Sequence, residues 1–266
     1  MFPYRKILRQ ALGIVKNNKF LYGFGLLLIL SYVFSLITGQ TAPKSDLIIL
    51  ASALVSVTLL VISLRASAGI IIAVKAIKDK EETSFGRAWN VSRLFYFRLF
   101  LVTVTIFIVL LVLGAILSSP VLYFYHQGHT NQAWVLGSLA GAIFLAAVVP
   151  LWLIGSLAPM FIVIYDQKFR EAWDKSFALI KQFLPQLVSF GLVLLLLELI
   201  PVVILSILTY YIHGLIVKNI GTGIVALAEI FILTYTQTVW VLVFLELIRP
   251  QKFEEEKGTV PIPEIV

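Results

Sequence analysis

Residues 99–124 read LFLVTVTIFIVLLVLGAILSSPVLYF, an unbroken apolar run with no charged side chain. A helix rises about 1.5 Å per residue and the hydrocarbon core of a bilayer is about 30 Å thick, so roughly 20 such residues cross it. A helix that is apolar all round has no face to offer to water. Arg93 and Arg98 stand before the run, and His126 and His129 follow it. Reading outward, comparable runs lie at 20–38, 47–74, 134–165, 186–212 and 221–248, separated by short polar breaks. The expected fold class is therefore all-α, a polytopic membrane bundle of six transmembrane helices. Prolines at 120, 150, 159, 185 and 201 are expected to kink or end helices, because each removes a backbone donor and crowds the preceding turn.

Composition agrees. Hydrophobic residues make up 60% and charged residues 13% of the 266, whereas soluble domains carry about 25% charged; so few charges cannot cover a water-facing surface. There are no cysteines, which excludes disulfides and thiolate metal sites. The basic N-terminus followed by an apolar stretch resembles a signal peptide, but Leu21 to Thr38 has the length of a span and no clean small-residue cleavage site follows it. It reads as a retained first span.

Orientation follows from the basic residues, since loops rich in Lys and Arg stay cytoplasmic. The N-terminal segment carries Arg5, Lys6, Arg9, Lys16 and Lys19, and the second loop Lys75, Lys78, Lys80, Arg87, Arg93 and Arg98. The fourth loop carries Lys168, Arg170, Lys175 and Lys181, and the tail Arg249, Lys252 and Lys257. The first, third and fifth loops hold only Lys44 and Lys218. Both termini are thus expected in the cytoplasm, with the protein in the plasma (inner) membrane. The net charge of +7 is then mainly a topology signal. No separate basic domain exists to bind nucleic acid, while the basic face could attract anionic lipid.

Phe85, Ala88, Trp89 and Ser92 recur as Phe169, Ala172, Trp173 and Ser176 at a constant offset of 84 residues. Tyr4, Ile7, Leu8 and Ala11 offer a fainter third copy. In each, apolar positions fall at i, i+3, i+4 and i+7, with polar residues toward the other side. This predicts amphipathic helices in the cytoplasmic headgroup layer, where tryptophan and basic residues are favoured. The alternative is that these segments are simply polar starts of the odd-numbered spans. On the first reading the chain is three helical hairpins, each preceded by an amphipathic helix, with pseudo-repeats at about 1–83, 84–167 and 168–250 and a cytoplasmic tail at 251–266. The tail's Glu254 to Glu256 and Pro261-Ile262-Pro263 suit a disordered segment. Copies with an even number of spans are parallel, not inverted. Mitochondrial carriers share the count of repeats but not the placement of the amphipathic helix, and they are rejected.

The stretch Ala158-Pro159-Met160-Phe161-Ile162-Val163-Ile164-Tyr165-Asp166, then Phe169-Arg170-Glu171-Ala172-Trp173-Asp174-Lys175-Ser176, resembles a recurrent pattern of a bacterial six-span family. Ala68-Gly69-Ile70-Ile71 followed by Ser84-Phe85-Gly86-Arg87-Ala88-Trp89 fits the same pattern. The family includes the membrane domain fused to some glycerophosphoryl diester phosphodiesterases and YciC-like inner-membrane proteins. The resemblance implies the fold and the location and transfers no catalytic residue; in fused relatives the hydrolase chemistry belongs to a separate soluble barrel.

Arg65 is the one basic residue inside a span, roughly 15 Å deep at about 1.5 Å per residue. An arginine there costs about 2.5 to 3.5 kcal/mol unless it snorkels or pairs. Glu198, in the fifth span, lies at the most similar depth and is the expected partner, with Glu229 in the sixth span as competitor. Such a pair could fix helix register or take part in transport. His126 and His129 form an H-x-x-H in a turn-like Tyr-His-Gln-Gly-His-Thr and lack a local third ligand, and His213 stands apart, so no metal site is expected. Asn90-Val91-Ser92 matches a glycosylation sequon on the cytoplasmic side. No phosphate-binding loop, nucleophile elbow or zinc-protease helix occurs. An enzyme is not expected, nor is a cofactor. Two functional classes remain: a non-catalytic protein that organises lipid or binds partner membrane proteins, and a transporter or flippase for a lipid-like or small amphipathic solute.

Overall fold

The computed structural model describes residues 3–39, 46–211 and 215–248, and of these 31–33, 35–39, 46–48, 201–202, 205–206, 208–211 and 215–224 by backbone alone. The described residues form helices and no strand: α1 (Tyr4–Asn17), α2 (Leu21–Gly39), α3 (Asp46–Lys78), α4 (Phe85–Ser92), α5 (Tyr96–His126), α6 (Thr130–Tyr165), α7 (Phe169–Tyr211) and α8 (Leu215–Ile248). The tail 251–266, Lys44 and His213 lie outside the described residues.

Five stretches are long and apolar enough to cross a membrane: Ile49–Lys78, Tyr96–His126, Thr130–Tyr165, Phe169–Ile200 and Val225–Ile248. The expected first span coincides with α2, which over Leu21–Leu30 is apolar but shorter than a span. Only 11% of the most apolar window of α5 is buried within the protein, against 56% for α8. Phe107, Leu111 and Ile116 of α5 are exposed accordingly. Water would not tolerate such a surface, and lipid is its natural solvent.

The chain divides into two compact units, and the division cuts across the three sequence repeats. The first contains residues 1–96, 163–166 and 189–266. Here α2, α3 and α8 pack against one another, α1 lies on α8, and α4 lies on α3. Gly25 of α2 sets the approach to α8, since a Cβ there would stand 2.7 Å from the Ile230 carbonyl and closer still to the Thr234 hydroxyl. Gly69 of α3 likewise faces the ring of Phe24. Small residues at such crossings let helix backbones approach closely in lipid.

The second unit holds residues 97–162 and 167–188. A Cβ on Gly114 would meet Phe144, one on Gly137 would meet Val121, and one on Gly155 would meet Ile106. Moving up α5 therefore means moving down α6, and the two run antiparallel. Tyr123, Tyr125 and Trp134 are exposed where α5 ends and α6 begins, a placement that suits aromatic side chains at a membrane boundary.

The amphipathic segments bury the faces their periodicity marked. On α1, Ile7, Ala11, Ile14 and Val15 are buried while Arg5, Lys6, Arg9 and Lys16 are exposed. On α4, Ala88, Val91 and Ser92 are buried, and Arg87 and Asn90 are exposed. At the start of α7, Ala172 and Ser176 are fully buried, whereas Arg170, Glu171 and Asp174 are exposed. Ser92 donates to the Trp89 carbonyl and Ser176 to the Ala172 carbonyl, each at 2.7 Å, so both hydroxyls are satisfied inside their own turns.

The three segments end differently. α1 closes at Asn18, whose backbone N–H and side-chain Nδ2 both donate to the Ile14 carbonyl, at 3.0 and 2.8 Å. α4 is a separate helix. The third segment runs into its span without a break, so that α7 is continuous apart from a non-helical residue at Phe183 (φ −122°, ψ 23°). Pro185 explains the kink, because its ring crowds the carbonyl four residues earlier and the turn before it must open. Of the two expected outcomes, a kink or an end, ending does not occur at Pro120, inside α5, or at Pro150 and Pro159, inside α6. A helix of such length in lipid bends around a missing donor more readily than it exposes several more.

α4 owes its start to Ser84, an extended residue (φ −141°, ψ 167°) whose side chain accepts the Arg87 N–H at 3.3 Å. α3 stops before it at Lys80, in the left-handed region (φ 63°), with the Glu81 N–H bonded to the Ala76 carbonyl at 2.9 Å. These bonds define a helix stop followed by a new start. Ser84→Ala is expected to cost about 1 kcal/mol and to speed amide exchange at Arg87 and Ala88 in detergent micelles. Unchanged exchange would show that α4 does not depend on its cap.

Candidate functional site

The functional candidate residues converge on α3 and α4 in the first unit. Arg65 projects from α3, and its guanidinium carbon lies 4.0 Å from the centroid of the Trp89 indole. Its Nη2 donates to the Trp89 carbonyl at 3.0 Å. That carbonyl belongs to the last turn of α4, where carbonyls lack intrahelical donors and the helix dipole favours a cation. Arg65 and the Ser92 hydroxyl both supply it. One residue of α4 thus offers the arginine two kinds of partner, a π face and an oxygen.

Trp89 is in turn fixed by aromatic neighbours. Its ring stacks on Phe85 with centroids 6.1 Å apart and an interplanar angle of 8°. Phe24 of α2 lies 4.5 Å from Phe85 and 6.5 Å from Trp89, and Gly23 and Gly69 leave room for these rings. The cluster therefore joins three helices, α2, α3 and α4. Tyr4 performs a comparable service for α1, stacking on Phe190 at 5.5 Å, and Tyr235 donates to the Leu8 carbonyl at 3.3 Å.

The expected ion pair between Arg65 and Glu198 is not formed, nor is one with Glu229. Lys75 pairs instead with Asp79, at 3.5 Å. Glu198 of α7 is exposed, and Glu229 sits half-buried on α8. The physical reason is length. α3 has 33 residues and so extends about 50 Å, well beyond a core of about 30 Å. Counting inward from the end of its apolar run put Arg65 deep in the bilayer, but part of that run overhangs. α4 folds back along α3 to the level of Arg65, and the guanidinium meets a tryptophan instead of a carboxylate.

Arg93, one helical turn beyond Trp89, is exposed. Arg65 Nε is buried without a hydrogen-bond partner among the described residues. Phe169, Ala172 and Trp173 occupy the matching positions at the start of α7, with the Phe169 and Trp173 rings 5.8 Å apart at 49°.

His126 and His129 do not converge: the first lies against Tyr125 and the second against Phe124. Gly128 between them is left-handed (φ 79°), and the His129 N–H closes α5 on the Phe124 carbonyl at 3.0 Å. Among the described residues no three side chains of His, Cys, Asp or Glu are placed to hold a metal ion.

The arginine–tryptophan contact was not legible beforehand, although both residues stood out individually. No local pattern links residues 24 apart in sequence on two differently read segments. Compared with known families, curated proteins and solved structures, the chain finds no match.

Proposed function

We propose that this chain is a non-catalytic, multi-pass protein of the plasma membrane, of the bacterial inner-membrane kind, that organises lipid or holds partner membrane proteins at the cytoplasmic leaflet. One observation carries the reading. α1, α4 and the first half of α7 each turn polar residues outward, basic on α1 and of mixed charge on α7, while the opposite face is packed away. Helices fixed in this way are platforms at a headgroup layer, which favours their tryptophan and arginine side chains. The matched burial of Ala88 with Ala172 and of Ser92 with Ser176 supports a threefold repeat of amphipathic helix and hairpin. On this reading α2 is the sixth span. The resemblance to the bacterial six-span family points the same way.

The topology has its own test. Reporter fusions after Ile248 and within 79–84 are expected on the cytoplasmic side, and fusions within 126–130 on the opposite side; any other pattern removes the leaflet assignment. Function is tested by lipid profiling of a deletion strain complemented with wild-type protein or Arg65→Gln. An altered lipid composition restored by wild type alone supports the reading. Unchanged lipids together with unchanged solute uptake would defeat it.

A second reading is a carrier or flippase for a lipid-like solute. The placement of Glu198 and Glu229 within apolar, span-length stretches favours it, because a carboxyl on a span is costly to keep without a task. Altered uptake of an amphipathic solute with unaltered lipids would select it.

A further inference from the structure

We infer that Arg65 and Arg93 form a binding site for the phosphoryl group of an anionic membrane lipid. The inference rests on the lipid-organising reading and gives it a location. Arg65 carries a guanidinium with five N–H donors, of which the protein's own Trp89 carbonyl takes one. Its charge is met by an indole face and a carbonyl, and no carboxylate ion-pairs with it among the described residues. A second guanidinium, that of Arg93, stands on the same side of α4, since residues four apart share a helix face and Arg93 continues α4 in helical conformation (φ −60°, ψ −20°). It is exposed. The two guanidinium groups are thus brought to one end of α4, where the protein supplies them with a carbonyl and an indole face.

The chemistry of the anion follows from the donors. Guanidinium forks match phosphate oxygens in pairs. The Trp89 face fixes the plane of the Arg65 fork, so the site is oriented before a ligand arrives. The exposed apolar side chains Leu94 and Tyr96 follow directly along the chain. They suit acyl chains next to a headgroup and would be wasted on a free inorganic anion. α4 opposes the anion with the negative end of its dipole, and Arg65 on the Trp89 carbonyl offsets that end.

The test uses the full chain in detergent, titrated with phosphatidylglycerol or phosphatidylcholine, with bound lipid counted by native mass spectrometry. Wild type is expected to retain phosphatidylglycerol in preference. Arg93→Gln, an exposed change that leaves the fold intact, is expected to weaken that retention about fivefold, the equivalent of about 1 kcal/mol for one basic side chain near a charged surface. Arg65→Lys, which keeps the charge and loses the fork, is expected to weaken it as well. Arg87→Gln, on a guanidinium already donating to the Glu82 carbonyl at 3.1 Å, is expected to leave it unchanged. Equal losses in all three variants, or none in Arg93→Gln, would overturn the site while a wild-type preference still upheld the lipid-organising reading. Absence of any preference in wild type would remove both. Displacement of the lipid by millimolar inorganic phosphate would overturn the lipid assignment in favour of a free anion.

Discussion

Gly25→Ala is expected to lower the stability of the helical bundle by about 3 kcal/mol, toward the upper end of what overpacking costs. The new methyl would meet the Ile230 backbone carbonyl at 2.7 Å and the buried Thr234 hydroxyl closer still. Neither can yield cheaply. The carbonyl is part of α8, and Thr234 is already committed to it through a 2.7 Å bond. Two helices would have to separate, with the loss of contacts all along α2 and α8. Gly69→Ala offers an informative comparison, because its obstacle is the Phe24 ring. That ring can tilt, but it leans on Phe85, so part of the cost should appear as loosening of α4. Gly13→Ala meets nothing within 4 Å and is expected to stabilise α1 by about 0.5 to 1 kcal/mol through helix propensity. Unfolding in mixed micelles of increasing dodecyl sulfate ranks the three. Gly25→Ala matching Gly13→Ala would mean that α2 and α8 do not touch as described.

Trp89→Ala is the second large effect, expected at about 3 kcal/mol. It removes the stack on Phe85, the contact to Phe24 and the π face beneath Arg65. The carbonyl that Arg65 holds stays in place, so the loss should be less than total. A double-mutant cycle of Trp89→Ala with Arg65→Met isolates the arginine–indole term, which should be about 1 to 2 kcal/mol for a partly desolvated pair. A parallel cycle of Arg65→Met with Glu198→Gln should give about zero, within the roughly 0.5 kcal/mol expected of independent sites. Coupling to Glu198 that exceeded coupling to Trp89 would reinstate the ion pair and remove the arginine–tryptophan contact from its place in the fold.

These outcomes separate what neighbouring residues in the chain decide from what distant ones do. Spans such as α5 and α6 were legible because crossing a hydrocarbon core requires a long apolar run, and hydropathy is a property of the run itself. The buried faces of α1, α4 and early α7 were legible for the same reason. Ala11, Ala88 and Ala172 are fully buried at positions that a period of 3.6 residues assigns without reference to any partner. The glycine contacts were not foreseen. A glycine in an apolar helix carries no mark of whether a carbonyl, a ring or open space lies opposite, and Gly25, Gly69 and Gly13 each have a different answer.

From its sequence alone the protein was determined to be helical, apolar enough for lipid, and furnished with amphipathic segments whose outward faces are polar. Tertiary structure decided that Arg65 rests on Trp89 and that Gly25 sets how near α8 can come. Hydropathy and periodicity act within a few turns of one helix. The level at which two side chains meet depends on how far each helix overhangs the bilayer and how its neighbour folds back along it, and that is settled only when the helices pack.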